Sequence, residues 1–285
     1  MNTSAAQKAV IAFMRTPKNF PHPCHQPEEV ETERSHVFLM GDYAYKLFKA
    51  KNSYRDNTTP EARLENSHFE RLVSDSLTCD LFLGNFAIVL QPDGQFNLQT
   101  AWETNPSQAI DYVVKMCRFN PRDMFYERLF AGKLTQREVS ALGAHVADFH
   151  PPQAHRSAPE QSNYTVFQEQ FADQIRICAR KVPCPWATAM LNWLHKVGMT
   201  AVDKTKQSLE SRDNSWQVLR TDTEFGNMGI FGGQIMRYDA HVMPEGKRSN
   251  DAAKDVANML APLYMHGRPD LAESFLDGYQ SVAHD

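Results

Sequence analysis

Two hydrophobic patterns share this chain, and they change over near residue 120. Before that point apolar residues come in short runs broken by turn signals. Glu29 to Glu33, His36 to Met40, Tyr43 to Phe48, Phe86 to Leu90, Phe96 to Leu98 and Tyr112 to Met116 read as strands, with turns at Gly41-Asp42 and Pro92-Asp93-Gly94. One helical pattern interrupts them, from Pro60 through Leu77, with Leu64, Phe69, Leu72 and Val73 at helical spacing. A short helix is also expected over residues 5–16. From about residue 122 the spacing is helical almost throughout. Thr135 and Glu138 form a capping box that opens a helix running to His150, where Pro151-Pro152 stops it. Further helices are expected over 166–181, 186–210, 251–264 and 270–279. This pattern predicts an α+β fold of two lobes. Residues 1–117 form a small antiparallel-sheet lobe with one long helix, and residues 118–285 form a larger helical lobe, with a cleft between them.

Composition narrows the function classes. A net charge of -4 leaves no electrostatic footprint for general nucleic-acid binding. No apolar run approaches a membrane span, and residues 1–8 lack the basic start and apolar core of a signal peptide. Neither nucleic acid nor membrane is therefore expected as a partner. The five cysteines are an odd number without a C-x-x-C pair, which fits free thiols in a reducing cytoplasm. Cys178, Cys184 and His195 match no zinc spacing well.

The interruption of the helical half carries the chemistry. Trp216-Gln217-Val218-Leu219 reads as a short strand entering the loop Arg220-Thr221-Asp222-Thr223-Glu224-Phe225-Gly226-Asn227. Met228 to Phe231 and Ile235 to Tyr238 then read as a hairpin closed by Gly232-Gly233, returning Asp239 beside Asn227. An Asp, an Asn five residues on and a second Asp after twelve more is the spacing of a kinase-type phosphoryl-transfer site. There the first Asp orients the acceptor hydroxyl, and the Asn and second Asp hold magnesium on the nucleotide phosphates. The same spacing also suits an ordinary loop, because Asp and Asn punctuate loops.

Such a site needs a cation on the phosphates. Lys46 stands among apolar neighbours on a strand, where lysine is rarely buried without a partner. Glu70, in the middle of the long helix, is the carboxylate expected to hold it. The competing reading has Lys46 snorkelling outward and Glu70 solvated.

Several stretches, in order along the chain, resemble the aminoglycoside phosphotransferase-like branch of the protein-kinase-like fold. The nearest likeness is to the kinase-like domain of bacterial proteins that join such a domain to a P-loop kinase. Thr32-Glu33-Arg34-Ser35-His36-Val37-Phe38-Leu39 and Gly41-Asp42-Tyr43-Ala44-Tyr45-Lys46 are similar to that group's first strands. Leu77 to Gly84 is similar to the end of its helix, and Tyr112 to Phe119 to its lobe junction. Ala147-Asp148-Phe149-His150 and Asp251 to Ala257 continue the likeness, which breaks down mainly over 151–215.

The resemblance implies ATP (or GTP) and Mg2+. It implies that Lys46 grips the α- and β-phosphates, with Ser35, Thr32 and Arg34 also near phosphate, and that Glu70 orients Lys46. The backbone of Lys115, Met116 and Cys117, or just beyond, would hold the base. Asp222 would be the catalytic base, Asn227 and Asp239 the metal ligands, and Asp255 a buried anchor for the catalytic loop. His150 is expected to satisfy a buried hydrogen bond. The group's loop reads H-G-D-L-H-x-G-N, whereas this chain has Arg220, Thr221 and Glu224 in place of the His, Gly and second His. Val242 and Met243 replace an E-F pair, and no P-loop or glycine-rich clamp occurs. Two classes of reading stay open, the enzyme class with a variant in which the acceptor is a protein side chain or the group transferred is nucleotidyl. One is a phosphotransferase acting on a hydroxyl of a small-molecule acceptor. The other is a catalytically altered kinase-like protein that binds nucleotide or a protein partner in a regulatory role.

Overall fold

A computed structural model of the chain describes residues 3–24, 27–50, 57–75, 80–148, 150, 162–211, 217–219, 224–238 and 249–283. The class is α+β. Residues 1–138 with 221–243 make one unit, and residues 139–220 with 244–285 make another.

The first unit is built on a six-stranded sheet in the order β1-β2-β3-β6-β4-β5. Its strands are β1 (Glu28–Glu31), β2 (Ser35–Met40), β3 (Tyr43–Phe48), β4 (Phe82–Leu90), β5 (Phe96–Thr100) and β6 (Ala109–Cys117). All five pairings are antiparallel. The β2–β3 turn requires Gly41, whose φ is +63° and whose position would bring a Cβ to 2.7 Å from Pro23 O. β4 begins four residues earlier than its apolar run suggested. The extension carries Gly84 and Asn85, a poor strand signature, yet it pairs with β6 across a register shift between Phe82 and Gly84.

Alternation sends the two faces of this sheet to different partners. Phe38, Met40, Tyr45, Leu47, Ile88 and Val113 pack with Val10, Phe13 and Met14 of helix α1 (Thr3–Met14). The opposite face meets helix α2 (Pro60–Asp75) through Leu64 against Ala87, Val89 and Tyr112. Toward the turn ends of the strands, Ala44, Phe48, Phe82, Val114 and Met116 cluster with Met124 and Met236. Met236 belongs to a hairpin of β8 (Met228–Phe231) and β9 (Gln234–Arg237), so the hairpin sits within the same unit as the sheet. β7 (Gln217–Leu219) lies in the other unit. The first unit also takes in helix α3 (Phe125–Phe130).

The second unit carries α5 (Asn163–Lys181), α6 (Pro185–Lys204), α7 (Lys206–Ser211), α8 (Ala252–Met265), α9 (Pro269–Gln280) and most of α4 (Gln136–Asp148). β7 pairs with β10 (Ser249–Asp251), where the sequence pattern had a loop that ran into the helix at Asp251. Thr135 and Glu138 cap α4 reciprocally: Thr135 N–H donates to Glu138 Oε2 at 2.9 Å and Glu138 N–H to Thr135 Oγ1 at 3.3 Å.

α4 and α9 touch backbone to backbone at two glycines. A Cβ on Gly143 would lie 2.1 Å from Phe275 O, and one on Gly278 would lie 1.9 Å from Ser140 O. Alanine is the better helix former by about 1 kcal/mol. Gly143→Ala is nevertheless expected to destabilise the protein by about 1–3 kcal/mol, because neither backbone can yield. A lowered denaturant midpoint checks this, and an unchanged or raised midpoint contradicts it.

Candidate nucleotide site on the Lys46 face of the sheet

Lys46 is central in β3, opposite Val37 on β2 and Val114 on β6, and Val114 in turn faces Asn85 on β4. These side chains share the face that α2 covers. Lys46 is 5% exposed and Glu70 1%. Lys46 Nζ donates to Glu70 Oε1 at 2.8 Å and stands 5.2 Å from the centroid of the Phe48 ring. α2 delivers Glu70 because Arg63, Ser67 and Glu70 fall on one helix face at i, i+4 and i+7, and all three are buried. Lys46 therefore points inward, with its charge held against a carboxylate.

A second buried ion pair fastens the start of the same helix. Arg63 Nε donates to Asp111 Oδ1 at 2.5 Å. Its Nη1 donates to Asn57 O at 2.6 Å and to Thr58 O at 3.2 Å. Asp111 Oδ1 also accepts from Tyr112 N–H at 2.8 Å, and Oδ2 from Gln7 Nε2 at 3.5 Å. Burial pushes the Asp111 carboxyl up from its ordinary range, against the opposing pull of Arg63. Neither residue stood out in the sequence. The available signal was Arg63 two turns before Glu70 on the same stripe.

The other site residues fall as follows. Ser35 is fully buried at the start of β2, opposite Phe48. Its N–H donates to Thr32 Oγ1 at 3.0 Å, and its Oγ has no hydrogen-bond partner among the described residues. Lys115 points to the other face, its Nζ 4.0 Å from the centroid of the Tyr43 ring and within 6 Å of those of Phe86 and Tyr45. Burial there pulls its ammonium down from the usual range. Only the backbone of Lys115 remains for the Lys46 side. Met116 pairs with both Ala44 and Phe82, and Cys117 N–H donates to Leu81 O at 2.8 Å. Arg118 N–H donates to Asp42 O at 2.8 Å. The first backbone groups beyond these ties belong to Phe119, whose ring lies 5.4 Å from that of Tyr238.

Asn227 is half-buried at the foot of the hairpin. Its N–H donates to Glu224 O at 2.9 Å, and its carbonyl accepts from Tyr238 N–H at 3.0 Å. Met228 pairs with Arg237 and Phe231 with Gln234. The turn residues Gly232 and Gly233 have φ of +58° and +79°, the left-handed pair that a two-residue hairpin turn demands. β9 thus starts one residue earlier than its apolar run suggested, and Tyr238 leaves the hairpin opposite Asn227. Gly229 is closely packed: a Cβ there would lie 2.8 Å from Met236 Cε and 2.9 Å from Met124 Sδ, so those methionine ends would have to shift. Asp222 and Asp239 lie outside the described residues, as do Thr221 and Arg220.

Two remaining candidates sit in the second unit. His150 Nδ1 is 2.7 Å from Tyr279 Oη, and its Nε2 is 3.5 Å from Asp255 Oδ2. Asp255 is buried at the start of α8. Cys178, Cys184 and His195 form no metal-binding group among the described residues, and Cys24, Cys117, Cys178 and Cys184 are free thiols. Among the described residues no helix is long and apolar enough to cross a membrane.

No protein-family model matches the chain, and no curated protein matches it. Among solved structures it is similar to a choline/ethanolamine kinase family protein from Mesorhizobium loti. The TM-score is 0.49 with 12% identity, over 98% of this chain and 77% of that one.

Proposed function

We propose that the chain is a phosphotransferase of kinase-like architecture that uses Mg-ATP, or GTP, and an acceptor hydroxyl. One observation carries the reading: a lysine and a glutamate, both almost wholly buried, are joined at 2.8 Å beside a sheet face on which Val37, Ala44, Val114 and Met116 are apolar and Ser35 and Asn85 are polar. A buried ion pair is a weak way to gain stability, since well-packed apolar residues commonly serve as well or better. Its cost is understandable where a cation must be held ready for phosphate.

The surroundings suit a nucleotide. Leu39, Ala44 and Met116 on the sheet belong to one apolar cluster with Phe231, Met236 and Tyr238 of the hairpin. Several of these are only partly buried, as the two walls of a slot for a flat base should be. Lys46 lies two residues beyond Ala44 on the same face, the order in which base and phosphates follow one another. The hinge-side hydrogen bonds to the base would come from Cys117 O and the backbone at Phe119, because Cys117 N–H is already donated to Leu81 O.

In this reading Asp222 accepts the proton of the acceptor hydroxyl as its oxygen bonds to the γ-phosphorus. The bond to the β–γ bridging oxygen breaks, and the nucleoside diphosphate leaves. Asn227 and Asp239 are hard oxygen donors of the kind magnesium takes, and the backbone of Asn227 is fixed on both sides. The bound ion supplies charge neutralisation on the phosphates. Glu224 beside the loop favours a cationic acceptor.

The test is a thermal midpoint with ATP or GTP, with and without magnesium, on wild type and Asp239→Asn. At about 100 times its dissociation constant a ligand stabilises by roughly 2.7 kcal/mol, a shift of several degrees. A magnesium-dependent shift that the variant loses is the expected result. No shift with either nucleotide sinks the proposal. A shift in wild type without turnover on any hydroxyl acceptor favours the regulatory reading, which the replacements at Arg220, Thr221 and Glu224 motivate.

A further inference from the structure

α6 shows solvent an apolar stripe. Trp186 is 67% exposed, Trp193 62% and Met190 54%, with Leu194 and Val197 also exposed. At 100° per residue these five fall within about 100° of one another, a single face about 17 Å long. The face that α6 turns to α5 is a different one. There Ala187 is buried, and the Phe171 ring packs so closely on Gly198 that a Cβ would lie 2.1 Å from it. Folding of the helical hairpin therefore does not account for the stripe.

The spacing of the stripe is informative. Trp186, Met190, Trp193 and Val197 follow one another at intervals of four, three and four. This spacing lets the stripe pack along a second helix. The pattern is also self-complementary. Set two copies of α6 antiparallel about a point between Leu191 and Asn192, and Trp186 faces Val197 of the second copy while Met190 faces Trp193. Large side chains then meet smaller ones across the seam.

We propose that this stripe is a homodimer interface, with α6 of one chain packed antiparallel on α6 of a second copy. Area supports that occupant. The exposed parts of the five side chains amount to on the order of 600 Å² per chain, so a symmetric contact clears the roughly 1,000 Å² in total that a specific interface needs. Two tryptophans and a methionine at its centre are the residue types that anchor such contacts.

Charge agrees with the antiparallel sense. Residues 174–202 hold Arg176, Arg180, Lys181 and Lys196 and no Asp or Glu, in a chain whose net charge is -4. A parallel pairing would bring the basic α5–α6 turns of the two copies together. The antiparallel one sets Arg180 and Lys181 beside Asp203 and the carbonyl end of the other α6, where cations are favoured. The proposal stands independently of the phosphotransfer reading.

Size-exclusion chromatography with light scattering on the full chain tests it. Wild type is expected at twice its 32.5 kDa. Trp193→Glu and, separately, Val197→Lys should each give the monomer, with far-ultraviolet circular dichroism unchanged because both side chains face solvent in the single chain, and with a thermal midpoint that no longer rises with protein concentration as that of wild type does. Met190→Leu should leave the dimer intact. Tryptophan emission of wild type should shift to shorter wavelength as concentration rises through the dimerisation range. A wild type that stays monomeric at the highest attainable concentration overturns the proposal. So does a dimer that survives both charged variants, or a monomer that binds vesicles of anionic lipid through the same stripe.

Discussion

Lys46→Met is expected to lower the stability of the chain by about 3–5 kcal/mol and to abolish the nucleotide-dependent thermal shift together with any turnover. The stability cost follows from burial. Glu70 is 1% exposed and joined to Lys46 at 2.8 Å; replacing Lys46 takes the ammonium from a carboxyl that water cannot reach. The two effects separate in a double variant. Lys46→Met with Glu70→Leu removes both charges and should regain most of the stability, since an apolar pair of similar size packs on Phe48 and Val114. It should regain none of the nucleotide response. Denaturant midpoints and thermal shifts on the same three proteins read both. Full nucleotide response in Lys46→Met would show that Lys46 only holds α2 in place and that phosphate binds elsewhere.

Arg63→Met carries an expected loss of similar size, about 3–5 kcal/mol, with a different signature. Arg63 joins α2 to β6 through Asp111 and to the preceding loop through Asn57 O and Thr58 O, all of it buried. Its removal takes the guanidinium away from a nearly inaccessible Asp111 carboxyl. Burial already pushes this carboxyl up with Arg63 present; without the guanidinium it rises further. A carboxyl whose pKa is higher folded than unfolded favours the folded state at low pH, and that advantage drains away as pH rises past the unfolded value near 3.9. The stability gap between wild type and Arg63→Met should therefore be small at about pH 3–4 and widen toward neutrality. A gap that is constant with pH would mean that Asp111 is already neutral in the wild-type fold. Nucleotide binding should survive in whatever fraction remains folded, in contrast to Lys46→Met.

These pairs mark the line between what the chain announces and what it hides. A short polar-punctuated pattern before residue 120 and a helical one after it made the α+β class legible, because backbone geometry imposes periods of 2.0 and 3.6 on any amphipathic element. The capping box at Thr135 and Glu138 and the Gly232-Gly233 turn were legible for the same reason: their chemistry is local. Lys46 and Glu70 could be singled out because a charge in an apolar setting is conspicuous in one dimension.

Tertiary structure decided the rest. β4 extends back over Gly84 and Asn85 because β6 offers a partner, and no local propensity reports that. β10 exists only because β7 lies beside it. Arg63 and Asp111 look like ordinary surface charges until the sheet and α2 close over them. For Lys115 only the backbone was expected to serve the site, and where its side chain goes was decided by strand alternation, which turns it into the rings of Tyr43 and Phe86 on the far face. The stripe on α6 has a period that any helix could show. Whether it is core or interface depends on what covers it, and that is a property of the folded surface. Local chemistry speaks through residues a few positions apart; burial and pairing join residues tens of positions apart, and only the folded chain brings those together.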